Sequence, residues 1–270
     1  MALDGLVGSG PDGAITFADV EAAARGAAAE PSAPPPRPPP PAAAARGFDP
    51  AAMRRAIAAA MSRAKREIPH YYLTTTIELV RSTAFLETYN RDRPPPERLL
   101  PAALLLKATA LALREVPELN GFWLEDRFRA GPGIHVGWAV ALRGGGLVAP
   151  AIKQADSLAL PALMAALRDL VGRARAGGLR SSELAEPTIT ITSLGERGAE
   201  MVLPVIYPPQ VAIVGFGRIV TAVRVDGQGG FAARPVVQAS LAGDHRASDG
   251  QLGGRLLAAI DRLLNAPEEL

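Results

Sequence analysis

A proline-rich run divides this sequence and limits where a folded domain can lie. Residues 31–46 read PSAPPPRPPPPAAAAR. Because proline lacks a backbone N–H donor and fixes φ, such a run favours an extended spacer over a packed helix or strand. The sequence therefore predicts a short segment at residues 1–30, a Pro/Ala-rich linker at 31–46 and one principal domain at 47–270.

Three glycines in the short segment have the spacing of a dinucleotide-binding loop. Gly8, Gly10 and Gly13 form the pattern GxGxxG. That loop normally follows a strand and opens the helix of a βαβ unit, and neither is indicated before the linker. We interpret these glycines as a turn that precedes a helical run at residues 16–25.

The principal domain alternates between helical and strand periodicities. Apolar residues recur every three or four positions from Met53 to Ala64, and further helices are predicted at residues 97–116, near 163–171 and at 252–264. Strands are predicted at residues 70–79, 136–142, 147–152, 188–193, 210–215 and 236–242. Gly144, Gly145 and Gly146 favour a hairpin turn, since glycine tolerates positive φ. The expected fold class is a two-layer α/β sandwich with a mixed β-sheet.

Composition excludes several classes of chemistry. The absence of cysteine rules out disulfides, thiolate metal sites and a cysteine nucleophile, and no metal is expected. The 29 basic and 27 acidic residues nearly balance, which does not suggest nucleic-acid binding. The start of the chain carries an early acid and no sustained apolar stretch, unlike a signal peptide. The apolar run at residues 99–113 is too short for a bilayer and contains Lys107, so it predicts a buried helix in a soluble, cytoplasmic protein.

Three histidines, His70, His135 and His245, are the candidates for a general base near neutral pH. His245 is favoured because it lies between a predicted strand end and the start of the last helix, where a loop can direct a side chain into a cleft. A nearby helix N-terminus would disfavour the imidazolium and keep a neutral base available. A simpler interpretation remains open at this point: a surface or capping histidine, with Ser248 and Asp249 capping the helix.

The segment around His245 resembles a known family. DHRASDG, residues 244–250, matches the DHRxxDG signature of the dihydrolipoyl acyltransferase catalytic domain of 2-oxoacid dehydrogenase complexes. RRAIAAAMSRAKREIPHYYL, PELNGFW, GLVAPAIKQADSLAL, ITITSLGERG and YPPQVAIVGFGRI resemble further family segments in the same order. The resemblance covers residues 48–270. It implies a trimeric, chloramphenicol acetyltransferase-like fold.

The resemblance also implies an activity: dihydrolipoamide acyltransferase, with acyl groups moved between coenzyme A and a dihydrolipoyl thiol. His245 would be the general base, Thr192 the hydroxyl that donates to the oxyanion, and Asp249 a residue that orients the histidine loop through an ion pair with Arg55. Ser193, which replaces a common asparagine, would support the site. Trp138 stands where a small aliphatic residue is usual, so its indole would either narrow a channel or fill a gap in the core. No residue is assigned to coenzyme A binding.

In the family, the histidine of one subunit faces the hydroxyl of the next across a trimer interface. The implied partners are therefore a homotrimer, with a larger cubic assembly left open, and a lipoyl-bearing protein or free dihydrolipoamide. Residues 1–30 resemble the second half of a peripheral-subunit-binding domain, which is too small to fold independently. No lipoyl domain is found in the sequence, so the lipoyl group is expected from another chain or as a free molecule.

Two alternative functions remain open. One is an acyltransferase of the same fold that uses a hydroxyl or a free thiol acceptor. The other is a non-catalytic core scaffold of a 2-oxoacid dehydrogenase-like complex. The combination of His245, Thr192 and Asp249 argues against the scaffold, which has no need for a base opposite an oxyanion donor. The acyl chain and the physiological thiol are not indicated by the sequence.

Overall fold

The computed structural model describes residues 9–11, 16, 18 and 50–270, apart from residues 143, 144 and 197. The chain divides into two units, Met1–Gly47 and Phe48–Leu270. The predictions for residues 1–30 and for the linker at 31–46 lie outside the described residues, except at the five positions given above. In the first unit, the Ser9 and Thr16 hydroxyls lie 3.5 Å apart.

The second unit alternates helices and strands. Its helices are α1 (Pro50–Glu67), α2 (Val80–Asn90), α3 (Pro101–Glu115), α4 (Leu160–Ala176), α5 (Ser181–Ala185) and α6 (Gly250–Leu264). Its strands are β1 (His70–Glu78), β2 (Gly121–Leu124), β3 (Arg127–Ala130), β4 (Val136–Trp138), β5 (Val140–Ala141), β6 (Leu147–Val148), β7 (Ala151–Ile152), β8 (Ile189–Ser193), β9 (Ala212–Phe216), β10 (Val220–Val225) and β11 (Phe231–Asp244).

The main sheet has seven strands in the order β1–β11–β9–β8–β4–β7, with β10 also paired to β11. Strand β8 runs parallel to β9 and to β4, whereas the other pairs in the sheet are antiparallel. Two separate hairpins, β2–β3 and β5–β6, complete the described strands. The α/β class with a mixed sheet, predicted from the sequence, is confirmed.

Helices cover both faces of the sheet unequally. On one face, α3, α4 and α6 bury a large apolar core against alternate residues of the central strands, such as Ile191 and Val214. On the other face, Ala64 of α1 packs in a small cluster with Ile213 and Ala242. The face beneath α1 is therefore the thinner layer, and a large part of the sheet on that side depends on loops for cover.

Lys107 lies in the helix that the sequence predicts to be buried. Its ammonium donates to the carbonyl oxygens of Asp156 and Leu158, both at 2.7 Å. Burial lowers the pKa of Lys107, but the two carbonyls stabilise the ammonium. Helix α3 is thus interior, as predicted, and among the described residues no helix is long and apolar enough to span a membrane.

Several predicted boundaries are wrong. Helix α3 begins at Pro101 rather than at residue 97, because proline fits the first turn and a separate 3-10 turn covers Pro95–Glu97. The predicted strand at 136–142 is split into β4 and β5, which pair in different sheets. Gly145 and Gly146 have φ of +90° and +98°, as a glycine turn requires, while residue 144 lies outside the described residues.

Some elements were not predicted at all. In helix α2 only Ser82 is buried, and the apolar residues that pack on the core, Phe85, Leu86 and Tyr89, are too few for a clear periodic pattern. Strand β11 begins at Phe231, five residues before the predicted start at Val236, because its first part pairs with the unpredicted β10. In β10, exposed and partly buried residues alternate, and valines lie on the exposed side. The expectation that apolar residues of a strand face the core therefore does not identify this strand.

Candidate active site

His245 is the first residue of a tight turn that joins β11 to α6. The backbone N–H groups of Ala247 and Ser248 both donate to the carbonyl of Asp244, each at 3.0 Å, and the His245 N–H donates to the Pro69 carbonyl at 3.0 Å. The turn is thereby held to the chain that enters β1. His245 itself is exposed. A fixed backbone with an exposed imidazole leaves the ring accessible to the proton of a substrate, as a general base must be.

An ion pair with a buried carboxylate fixes the same turn. The Asp244 side chain is fully buried and accepts from the Arg246 backbone N–H at 3.0 Å and from its guanidinium at 2.6 and 2.9 Å. This hydrogen bonding with Asp244 raises the pKa of Arg246. The guanidinium also lies 4.9 Å from the centre of the Trp123 ring. Asp244 and Arg246 therefore orient the residue between them.

Tyr71 contacts the imidazole and was not identified from the sequence. Its ring meets that of His245 edge-on at 5.2 Å and 69°, and its hydroxyl lies 2.9 Å from the Ser248 hydroxyl. Burial raises the pKa of Tyr71, so the phenol stays protonated at neutral pH. Tyr71 is opposite Gly243 in the β1–β11 register, where a Cβ atom would lie 2.4 Å from the ring. Only that long-range register places Tyr71 beside His245.

Asp249 is the N-cap of α6. Its carboxylate accepts from the backbone N–H groups of Gln251 at 2.9 Å and Leu252 at 3.0 Å, which is the capping role that its residue type favours. Arg55 lies on α1. Among the described residues of one chain, the Asp249 carboxylate and the Arg55 guanidinium do not form an ion pair with each other. The predicted Asp249–Arg55 contact is therefore not seen within a single chain.

Thr192 and Ser193 lie at the carboxyl end of β8, away from the His245 turn. Thr192 is paired with Gly215, and Gly215 with Ser240, whereas His245 follows Asp244 at the far end of β11. Four residues of strand rise and two interstrand spacings place the Cα atoms of Thr192 and Asp244 about 16 Å apart. The Ser193 hydroxyl accepts from the Gly195 N–H at 3.4 Å. One chain therefore does not bring Thr192 and His245 together.

The rings of the other two histidines accept hydrogen bonds from backbone N–H groups. His70 lies with Nδ1 2.9 Å from the Ile68 carbonyl, and its Nε2 accepts from the Ile206 N–H at 3.1 Å. This arrangement requires a neutral ring, and burial lowers the pKa of His70 accordingly. The Nδ1 of His135 accepts from the Gln154 N–H at 3.1 Å. Both rings serve the fold, which leaves His245 as the exposed imidazole without such a backbone acceptor role.

A cavity of 320 Å³ adjoins the His245 turn. Arg63 and Arg246 border it, but so do Glu67, Glu125 and Asp126. Because the positive groups are matched by carboxylates, the cavity has no excess of positive charge for a phosphate group. We therefore assign no coenzyme A contact to it.

Two further points concern the predicted site. Trp138 is almost fully buried in the main core, so its indole fills core space and does not line an open channel. Within the described residues, no group of three or more histidine, aspartate or glutamate side chains could hold a metal ion.

The chain is similar to a known protein family and to curated proteins. The family model for 2-oxoacid dehydrogenases acyltransferase (catalytic domain) matches residues 48–270. Two similar curated proteins are dihydrolipoyllysine-residue acetyltransferase components of pyruvate dehydrogenase complex. The mitochondrial one of Schizosaccharomyces pombe is 31% identical over 81% of this chain and 45% of its own length. That of Rhizobium meliloti is 32% identical over 98% of this chain and 64% of its own length. The chain thus spans about half to two thirds of the length of such relatives.

Solved structures agree with the sequence match. Dihydrolipoamide acetyltransferase of Azotobacter vinelandii is similar with a TM-score of 0.75 and 26% identity, covering 87% of this chain and 99% of that one. Chloramphenicol acetyltransferase is similar in fold, with a TM-score of 0.52 and 11% identity over 76% of this chain and 94% of that one. The predicted chloramphenicol acetyltransferase-like fold is confirmed, and the chain belongs to the family of 2-oxoacid dehydrogenase acyltransferase catalytic domains.

Proposed function

We propose that this chain moves acyl groups between coenzyme A and a dihydrolipoyl thiol, with His245 as the general base. The observation that carries the proposal is the His245 turn: the buried Asp244 carboxylate and the Arg246 guanidinium that it binds fix its backbone while the imidazole stays exposed. The family and the named activity of the two relatives supply the reaction class.

In the proposed reaction, His245 takes the proton from the attacking thiol. The resulting thiolate adds to the thioester carbonyl carbon, and the Thr192 hydroxyl donates a hydrogen bond to the oxyanion that forms. Collapse of the tetrahedral intermediate breaks the original carbon–sulfur bond, and His245 returns its proton to the departing thiolate. No redox step or metal is needed.

Asp249 has a supporting part in this proposal. As the N-cap of α6, its carboxylate fixes where the helix begins and so limits the movement of the His245 turn. The mechanism of the Azotobacter vinelandii enzyme has been studied through a serine, a histidine and an asparagine. Thr192, His245 and Asp249 are the residues that we propose for this chain.

The two halves of the site come from different subunits in this proposal. The separation of about 16 Å between Thr192 and the start of the His245 turn cannot be closed within a folded sheet. In a ring of identical subunits, the Thr192 of each subunit can lie next to the His245 of its neighbour, so the two residues need not meet within one chain. We propose a homotrimer. A solved relative forms the cubic core of the pyruvate dehydrogenase multienzyme complex, which makes assembly of such trimers a further part of the proposal.

The lipoyl group would come from another chain or as free dihydrolipoamide, and the acyl transfer would take place in the cytoplasm. The N-terminal segment at residues 1–30 and the linker at 31–46 are proposed to lie outside the catalytic domain.

The test is acyl transfer from acetyl-, propionyl- and branched acyl-coenzyme A to dihydrolipoamide. His245→Ala should reduce the turnover by about 10²–10⁴-fold, because a positioned base is lost. His135→Gln is the matched control, since it replaces a histidine elsewhere in the fold, and it should retain wild-type turnover. An inert wild type with every donor would favour the scaffold or a different acceptor, and an active His245→Ala would remove His245 from the mechanism.

A further inference from the structure

Another cavity, of 180 Å³, lies between α1 and the thinner face of the sheet. Met53 and Ile57 of α1 line it together with Val148 of the β5–β6 hairpin and Thr190 of β8, and none of the described residues that line it is charged. A Cβ atom at Gly146 would lie 2.8 Å from the Met53 Cγ atom, so the start of α1 packs closely on the turn of that hairpin. Three separate elements thus enclose an apolar space, which is the usual character of a small-molecule site.

Two polar side chains that line this cavity bind each other. The Thr190 hydroxyl donates to Gln210 Oε1 at 2.8 Å, and Gln210 Nε2 donates to the Pro187 carbonyl at 3.2 Å. Both side chains are buried. Because the pair is satisfied without a ligand, a carboxylate that entered the cavity would lose its water and gain no charged partner in return. The cavity therefore favours an uncharged, aliphatic group.

The cavity and the Thr192 hydroxyl lie on the same face of the sheet. Thr190 is paired with Ile213, which packs against Ala64 of α1, so the Thr190 side chain is on the α1 face. Thr192 is two positions further along β8, on the same face, and the two side chains are about 7 Å apart along the strand. One chain thus places an apolar cavity beside the residue proposed to bind the oxyanion.

We infer that this cavity binds the acyl group of the thioester, and that the preferred acyl group is aliphatic and uncharged, with about four to six carbons. The inference rests on the proposed function, because it is the thioester carbonyl held at Thr192 that directs the acyl group toward Thr190. An acetyl group ends one bond beyond the carbonyl carbon and stays outside the cavity. A four- to six-carbon group extends into it, between α1 and β8.

The volume of the cavity sets the expected size and selectivity. One water-sized group, such as a methylene, occupies about 30 Å³, so 180 Å³ holds about six of them. Each buried methylene improves kcat/KM by about fourfold. An isovaleryl group has three carbons more than an acetyl group, which gives a preference of about 60-fold when all three are buried. We expect at least tenfold.

A substitution that fills the cavity tests the inference. In Ala56→Leu, the added atoms occupy the α1 side of the cavity, and both residues are strong helix formers. Ala58→Leu is the matched control, since Ala58 is exposed on the same helix and does not line the cavity. The measurement is kcat/KM for transfer to dihydrolipoamide from acetyl-, butyryl-, isovaleryl-, hexanoyl- and succinyl-coenzyme A, with the KM for dihydrolipoamide determined in parallel.

Wild type and Ala58→Leu should prefer isovaleryl to acetyl at least tenfold, and butyryl to succinyl at least tenfold, since those two groups differ in the terminal carboxylate. Ala56→Leu should lower the ratio of isovaleryl to acetyl at least tenfold. Met53→Ala, which enlarges the cavity, should raise the ratio of hexanoyl to isovaleryl. A wild type that prefers acetyl, or an Ala56→Leu variant with an unchanged ratio, overturns the inference.

The aliphatic arm of the dihydrolipoyl group has the same chemistry, and the assay distinguishes it. If Ala56→Leu raises the KM for dihydrolipoamide equally with every donor and leaves the acyl ratios unchanged, the cavity serves the acceptor and the inference is overturned.

A binding measurement lets this inference and the proposed function fail separately. The dissociation constants of acetyl- and isovaleryl-coenzyme A are measured by calorimetry without an acceptor. A wild type that binds isovaleryl-coenzyme A at least tenfold more tightly, with that preference lost in Ala56→Leu, but that transfers no acyl group would support the cavity and contradict the acyltransferase. An active wild type without preference among acyl groups would leave the acyltransferase standing and overturn the role of the cavity.

Discussion

Replacing Asp244 with asparagine should impair both stability and turnover, because the buried carboxylate fixes the His245 turn. Removing one member of a buried ion pair costs about 3–5 kcal/mol, since the remaining charge is left without compensation. Here the Arg246 side chain is 32% exposed and can be partly solvated, so we expect a loss of about 2–3 kcal/mol in the free energy of unfolding.

The effect on catalysis should be larger than the effect on binding. The Asp244 side chain accepts from the Arg246 backbone as well as from its guanidinium, so Asp244→Asn loosens the residues on both sides of His245. A displacement of about 1 Å can reduce turnover by about 100-fold. We therefore expect kcat for acyl transfer to fall about 10–100-fold, with the KM for acyl-coenzyme A within about twofold of wild type.

The assays are urea unfolding and steady-state transfer to dihydrolipoamide. Asp156→Asn is the matched control, because Asp156 is largely buried and ion-paired with Arg114 at 2.8 Å but lies outside the His245 turn. It should lose stability while retaining kcat. Equal losses of kcat in Asp156→Asn and Asp244→Asn, or an unchanged kcat in Asp244→Asn, would refute the positioning role of Asp244.

Three shorter predictions concern residues around the turn. Gly243→Ala should destabilise the fold by about 1–3 kcal/mol and lower kcat, because the new Cβ displaces Tyr71; an unaltered thermal midpoint and kcat would contradict this. Asp249→Ala should cost about 0.5–2 kcal/mol through loss of the helix cap, measured by urea unfolding, and no loss would contradict the capping role. His70 has a lowered pKa in the folded state, so its contribution to stability is complete above about pH 6.5 and is lost as the pH falls through the folded-state pKa. His70→Asn should flatten the dependence of unfolding free energy on pH in that window, and an identical slope would count against it.

The sequence predicts the local features of the site well. The DHRASDG segment lies between a strand end and a helix start, and the capping propensity of Asp249 is local, so both could be predicted. Thr192 could likewise be placed on a strand from its alternating neighbours. Each of these depends only on residues a few positions away.

Features that depend on long-range pairing could not be predicted. Tyr71 reaches His245 only through the β1–β11 register, which joins residues more than 150 positions apart. The separation of Thr192 from His245 follows from three strands in a particular order. Strand β10 is not predicted because Val223 and Val225 face outward, against the tendency of apolar residues to be buried.

The central claim, that His245 of one subunit and Thr192 of another form a single site, is tested most directly by mixing two inactive variants. His245→Ala and Thr192→Ala are each expected to be nearly inert alone. Unfolded together in equal amounts and refolded, they should form rings in which about a quarter of the interfaces combine an intact histidine with an intact threonine. Transfer at about a quarter of the wild-type rate is the predicted result, and a mixture as inert as its components would contradict a site shared between subunits.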